Sequence, residues 1–225
     1  VDRIEDFSMA SPTPIKIDFV SDVVCPWCAV GLKSLEQALA KLGDDVAVEL
    51  HFQPFELNPQ MAPEGEDILE HIAHKYGSSP AQIEQNREVI RERGAALGFT
   101  FNMDKRNRIV NTFDAHRLLH WAALEGSQAE LKQALLTAYF TDGRDVSSRD
   151  VLVDVAASVG LDAAEARRVL DEDRYAQDVR AQEQFYQSQG IRAVPSVIIN
   201  DRYLVQGGQP PEVFEQTLRQ VAAEG

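Results

Sequence analysis

The sequence predicts an α/β protein built on a four-stranded mixed sheet that is interrupted by a large all-helical insertion. Three observations predict it. Residues 13–58 read strand, helix, strand, and residues 191–225 read strand, strand, helix. Residues 59–190 carry helical patterning broken by glycines and brief turns. The two outer pieces are expected to form one sheet domain and 59–190 an inserted helical domain, with 1–12 as an N-terminal extension.

The first strand is expected over about 14–21, where apolar Ile15, Ile17 and Phe19 alternate with Lys16 and Asp18. A helix over 26–42 has Val30, Leu32, Leu35, Leu39 and Leu42 as its apolar stripe and Gly43 as its stop. A second strand over 46–55 breaks at Pro54 and Pro59. A parallel pair needs a crossover of about this length, so the unit reads β-α-β. Ser79 followed by Pro80 opens a helix that runs to Gly94 or Gly98, and further helices are expected over 111–126, 127–143, 148–160, 162–173 and 175–189. Strand patterning returns at 194–199 and 203–205 around an Asn200-Asp201 turn. After Gly207-Gly208, Pro210-Pro211 starts a terminal helix whose Val213, Phe214, Leu218 and Val221 share a face.

The formal charge of −14 argues against nucleic acid and against anionic membrane, both of which call for a basic surface. No apolar run approaches the roughly 20 residues of a membrane span, and no basic-then-apolar segment precedes the first strand. A cytoplasmic location is therefore expected, with residues 1–8, ahead of Met9, read as a cloning remnant.

Only two cysteines are present, Cys25 and Cys28, bracketing Pro26-Trp27. Random placement gives that spacing only about one time in a hundred. In a reducing compartment such a pair cycles chemically more readily than it staples a fold. At a helix start the Cys25 thiolate is favoured by unpaired N–H groups and the helix dipole, so its pKa should fall below about 8.5. Cys28, one turn inside on the same face, would resolve a mixed disulfide. Structural zinc would need further ligands at matching spacing, and none follows. His116 and His120 mimic a zincin spacing, but Arg117 stands where such a site needs glutamate, so no metal is expected.

A C-x-x-C at the mouth of that helix, with Val194-Pro195 opening a late strand, resembles the thioredoxin fold. Most of the chain is similar to the DsbA-like family, and within it to the cytoplasmic FrnE-like branch. The closer match is carried by Ser21-Asp22-Val23-Val24-Cys25-Pro26-Trp27-Cys28, Pro54-Phe55-Glu56-Leu57-Asn58-Pro59, Asn111-Thr112-Phe113-Asp114-Ala115-His116-Arg117-Leu118, Val194-Pro195-Ser196 and Gly207-Gly208-Gln209. Some FrnE-like proteins carry a second cysteine pair, and this chain has none.

The resemblance implies a thiol–disulfide oxidoreductase acting on disulfide-containing proteins, peptides or small molecules. Glutathione is the one co-substrate it suggests, with no cofactor beyond the redox pair. It implies a cis Pro195 beside the cysteines and Val194 lining a groove for extended peptide. Pro26 and Trp27 would surround the attacking sulfur. Trp27 brings no charge comparable to the histidine of periplasmic relatives, so Cys25 should be acidified less than theirs. Asp18 would relay a proton to Cys28, unless it is simply an exposed strand carboxylate. Asp22 reads as a turn or cap residue. His116 and Arg117 would face the cleft or tie the insertion to the sheet. Two other functions fit this architecture. A glutathione-dependent transferase or isomerase of the kappa or 2-hydroxychromene-2-carboxylate isomerase type usually has serine at the nucleophile and lacks the second thiol, so Cys28 discriminates against it. A polypeptide-binding chaperone would not need its thiols.

Overall fold

The computed structural model describes residues 14–224, and the expected N-terminal extension lies outside them. Strand β1 (Ile15–Ser21) leads through a short turn into helix α1 (Pro26–Leu42) and then β2 (Val48–Pro54). The connecting region carries the two-residue strands β3 (Glu66–Asp67) and β4 (Arg108–Ile109), with α2 (Ile68–Tyr76) and α3 (Pro80–Ala96) between them. Helices α4 (Phe113–Leu124), α5 (Gln128–Phe140), α6 (Arg149–Ser158), α7 (Ala163–Asp171) and α8 (Ala176–Ser188) follow. The chain closes with β5 (Ser196–Ile199), β6 (Tyr203–Gln206) and α9 (Pro211–Glu224). The small β3–β4 ribbon has no counterpart in the sequence pattern, because two residues are too few to show a period.

The four-stranded sheet runs β2-β1-β5-β6 and is mixed. β1 pairs parallel with β2 and antiparallel with β5, and β5 pairs antiparallel with β6. Buried Leu32 and Leu35 of α1 join Phe19 of β1 and Phe214, Leu218 and Val221 of α9 in the main core. Each such side chain contributes about 1.5–3 kcal/mol on burial. On the other face Val20 packs with Tyr186 of α8 and with Ile191. Helix α8, expected within the insertion, thus covers the sheet itself, as a sheet with two central strands requires on both faces.

The helical region has its own aromatic packing: Phe101 lies edge-on to Phe99 and Phe140, with centroids 4.8 and 5.1 Å away. It also closes the free edge of β2. The Gln128 carboxamide accepts from Phe52 N–H at 2.9 Å and donates to Phe52 C=O at 3.1 Å, standing in for a neighbouring strand.

Candidate active site

Cys25 is the N-cap of α1 and has extended backbone angles; Pro26 fills the first turn, where its missing N–H costs nothing. Both cysteines are free thiols and both are buried, at 4% and 0% exposure. The Cys25 carbonyl accepts from Cys28 N–H at 3.1 Å and from Ala29 N–H at 3.3 Å, which starts the helix. The hydrogen bond from the Cys28 thiol holds Cys25 below the ordinary thiol value, against burial and the charge of Asp22, with the N–H groups of Cys28 and Trp27 helping. Burial pushes Cys28 well above it, and the neighbouring Cys25 sulfur adds to that rise. A lowered outer thiol beside a raised inner one is the arrangement that thiol–disulfide exchange calls for.

Across the cleft the Val194–Pro195 peptide is cis, and the Cys25 Sγ lies 3.8 Å from the Val194 carbonyl. A β-carbon on Gly31 would come 3.0 Å from Pro195 Cγ, so the helix presents glycine where the proline loop approaches. Gly31→Ala should cost about 1–3 kcal/mol by overpacking. It should also slow thiol exchange by displacing Pro195 from Cys25; urea melts and a disulfide-reduction assay check both. Trp27 is partly buried. Its ring lies 5.7 Å from the Arg93 guanidinium, and Arg93 donates to Gly208 C=O at 2.7 Å. Gly208 itself backs onto Trp27, where a β-carbon would sit 3.0 Å from the ring.

Asp18 is buried, but it is not at the dithiol. Residues 17 and 19 face α1, so 18 and 20 face α8. There Asp18 accepts from Gln53 Nε2 at 2.7 Å and pairs with Lys16 Nζ at 3.0 Å. The expected relay from Asp18 to Cys28 is corrected accordingly: the strand's alternation sends the carboxylate to the opposite side of the sheet.

Asp22 holds the site instead. Its Oδ1 accepts from Val23 N–H at 2.8 Å and from His116 Nε2 at 3.2 Å, while Oδ2 accepts from Leu57 N–H at 2.8 Å. His116 Nε2 also lies 3.1 Å from the Phe55 carbonyl. A carbonyl and a carboxylate both need a donor, so Nε2 carries the proton. Burial alone would raise Asp22, but His116, then Leu57 N–H and Thr112, hold it below the usual carboxylate range. His116 thus ties α4 to the turn before Cys25, one of its two expected places.

Arg117 takes neither of its expected places. Its guanidinium is buried and donates to the Val169 and Leu170 carbonyls at 2.7 and 3.2 Å, at the end of α7, and to Asp114 at 2.7 Å. It caps a helix C-terminus within the helical region, where the free carbonyls and the negative dipole end favour a cation.

Two buried features escaped the sequence reading. The carboxylates of Glu56 and Glu183 share Arg180, and one oxygen of each is unpartnered. Burial, reinforced by Glu183, pushes Glu56 up to about 7. The folded chain therefore holds a proton there that the unfolded chain has lost by about pH 4.3, and stability falls as pH rises through that window. Glu183→Gln should flatten this decline, which urea melts across pH 5–8 check. Lys132 is the second feature, at 1% exposure on α5 with no carboxylate partner among the described residues. Its signal was present, since it shares a face with Leu135, Leu136 and Tyr139 at helical spacing. It lines a cleft of about 220 Å³ with His51, Phe52, His116, His120 and Gln128.

A four-stranded mixed sheet, a vicinal dithiol at a helix start and a cis-proline opposite define a dithiol protein of thioredoxin type. The chain belongs to the DSBA-like thioredoxin domain family, whose model matches residues 16–219. It is similar to a probable DsbA oxidoreductase, SCO1869, from Streptomyces coelicolor, at 36% identity and a TM-score of 0.88, covering 94% of this chain and 91% of that one. The uncharacterised protein YwbO of Bacillus subtilis (strain 168) is 29% identical over 206 residues, which is 91% of this chain and 96% of that protein. The cytosolic disulfide reductase DsbM from Pseudomonas aeruginosa, solved with GSH, shares the fold at 19% identity and a TM-score of 0.63, covering 92% of this chain and 99% of that one.

Proposed function

We propose that the chain exchanges disulfides with protein, peptide or small-thiol substrates through Cys25 and Cys28. The observation that carries this is the split dithiol, with Cys25 lowered and Cys28 raised beside the Val194 carbonyl and Pro195. In the oxidising half-cycle of the protein, the Cys25 thiolate attacks a substrate disulfide, forms a mixed disulfide and expels one substrate thiolate. Cys28 then attacks Cys25, the Cys25–substrate bond breaks, and the second substrate thiolate leaves. Two electrons have passed from the protein to the substrate. Val194 offers its backbone to an extended peptide, which favours sequence-tolerant recognition.

Glutathione is the proposed small-thiol partner, and an FrnE-like cytoplasmic role is proposed with it. Among the described residues no helix is long and apolar enough to cross a membrane. A redox potential near about −270 mV would mark reductase duty and one near about −120 mV oxidase duty. The test is catalysed insulin reduction and refolding of a scrambled disulfide protein, each with wild type and with the Cys25→Ser, Cys28→Ser double variant. Activity in the wild type alone supports the enzyme. Aggregation prevention retained by the double variant, with no redox turnover in either protein, would favour a chaperone instead.

A further inference from the structure

We propose that the cleft between β2 and helices α4 and α5 is a binding site for a small aromatic carboxylate, with the Lys132 ammonium as its counter-ion. Lys132 is 1% exposed, and among the described residues its Nζ has no hydrogen-bond or carboxylate partner. Counter-ions are plentiful in this chain, which has 36 acidic residues against 22 lysines and arginines. The equally buried Arg117 is fully served: it bonds Asp114 and the carbonyls of Val169, Leu170 and Arg174. Lys132 meets only the Phe52 ring, whose centroid lies 5.8 Å from Nζ, and that contact offsets little of the cost of taking an ammonium out of water. Leucine or methionine would supply the same packing without that cost. The group missing from the arrangement is an anion.

The space for it is present. Lys132 lines the cleft of about 220 Å³, which runs from buried Lys132, Phe52 and Leu119 to exposed His51 and Leu124. Cys25, Cys28, Val194 and Pro195 take no part in its walls, so the site is separate from the dithiol and does not rest on the disulfide-exchange reading. Most polar groups of the walls are already committed. The Gln128 carboxamide bonds the backbone of Phe52 and Leu119, and Gln53 donates to Asp18. His116 Nε2 is taken by Asp22 and the Phe55 carbonyl.

These features select the ligand. A single unpartnered ammonium at the inner end fits one negative charge, which a carboxylate carries as a charge-assisted hydrogen-bond acceptor. A phosphate would bring more charge than Lys132 can meet and would pass Glu49, which stands beside His51 at the mouth. The apolar walls of Phe52, Leu119, Ala123 and Leu124 call for an apolar body behind the charge. An apolar cavity of about 150 Å³ holds benzene, so 220 Å³ admits a ring bearing one carboxylate. Its carboxylate then meets Lys132 Nζ, and its ring packs against Phe52 and Leu119.

Sodium benzoate titrated into the ¹⁵N-labelled full chain at pH 7 tests the site. Amide resonances of Phe52, Leu119 and Ala123 should shift and saturate, with a dissociation constant on the order of 1 mM. Benzamide, which keeps the ring and loses the charge, and inorganic phosphate, which keeps the charge and loses the ring, should each bind at least about tenfold more weakly. Lys132→Met should weaken benzoate by at least about tenfold and leave benzamide within about threefold. Ala123→Phe keeps the lysine and fills the cleft, so it should remove benzoate binding, and it decides alone if Lys132→Met does not fold. The Cys25→Ser, Cys28→Ser double variant should bind benzoate as the wild type does. Shifts that do not saturate or that map elsewhere would overturn the proposal, as would equal binding of benzamide, tighter binding of phosphate, or unchanged benzoate binding in Lys132→Met or Ala123→Phe.

Discussion

Replacing Cys25 with serine should reduce disulfide turnover to the uncatalysed rate, while replacing Cys28 with serine should leave the first attack intact and strand the protein as its mixed disulfide. The asymmetry follows from the geometry. Cys25 is the thiol at the helix N-terminus, held low by Cys28 and the helix-start N–H groups; a serine hydroxyl there would stay protonated and could not open a disulfide. Cys28 is fully buried and held high, so in the proposed exchange it would have no route to an external disulfide and would act only on Cys25. Intact-mass measurement after mixing with glutathione disulfide should give a stable glutathione adduct on the Cys28→Ser protein and none on Cys25→Ser. Equal labelling of the two variants would mean that the roles are not divided in this way.

Asp22→Ala should destabilise the fold by about 3 kcal/mol or more, because each buried donor left without its partner costs about 1–3 kcal/mol and this change strands three of them. It would leave His116 without its carboxylate and the Val23 and Leu57 N–H groups without acceptors, around a position that is itself fully buried. The same contacts make the fold acid-sensitive. Asp22 titrates lower in the folded chain than in the unfolded one. Its stabilisation is therefore complete above the unfolded value of about 3.9 and is lost as pH falls through the lower folded value. Urea melts should show a steeper acid-side slope in the wild type than in Asp22→Ala. Asp22→Asn, which keeps the shape, should lower the Cys25 pKa, because the carboxylate's charge opposes the thiolate. Thiolate absorbance titration reads that shift directly.

Much of this site was legible in the sequence because it depends on local pattern. The spacing of Cys25 and Cys28 and the alternation of Ile15, Ile17 and Phe19 each report on a few adjacent residues, whereas the place of Val194-Pro195 was implied by the family resemblance. What escaped depends on contacts across long separations. Asp22 looks like a turn residue, and His116, expected to face the cleft or tie the insertion to the sheet, has no visible partner in the sequence, until the fold sets the two 3.2 Å apart. Asp18 looked equivalent to a relay because strand position was legible while the choice of face was not, and a one-residue step in a strand reverses it. Arg117 was drawn towards the cleft by its neighbour His116, yet adjacent helical positions point about 100° apart, which turned it onto α7. Lys132 was hidden by the convention that lysines on helices belong to the solvent face.

Cys25 and Cys28 are proposed to act as one redox couple. The most direct test equilibrates the protein in glutathione buffers of graded potential, traps the thiols by alkylation and reads intact mass. A single two-electron transition is expected, in which both thiols vanish together with the loss of two hydrogens and no retained glutathione. Stable glutathionylation of Cys25 with Cys28 still a free thiol, at every potential, would contradict it.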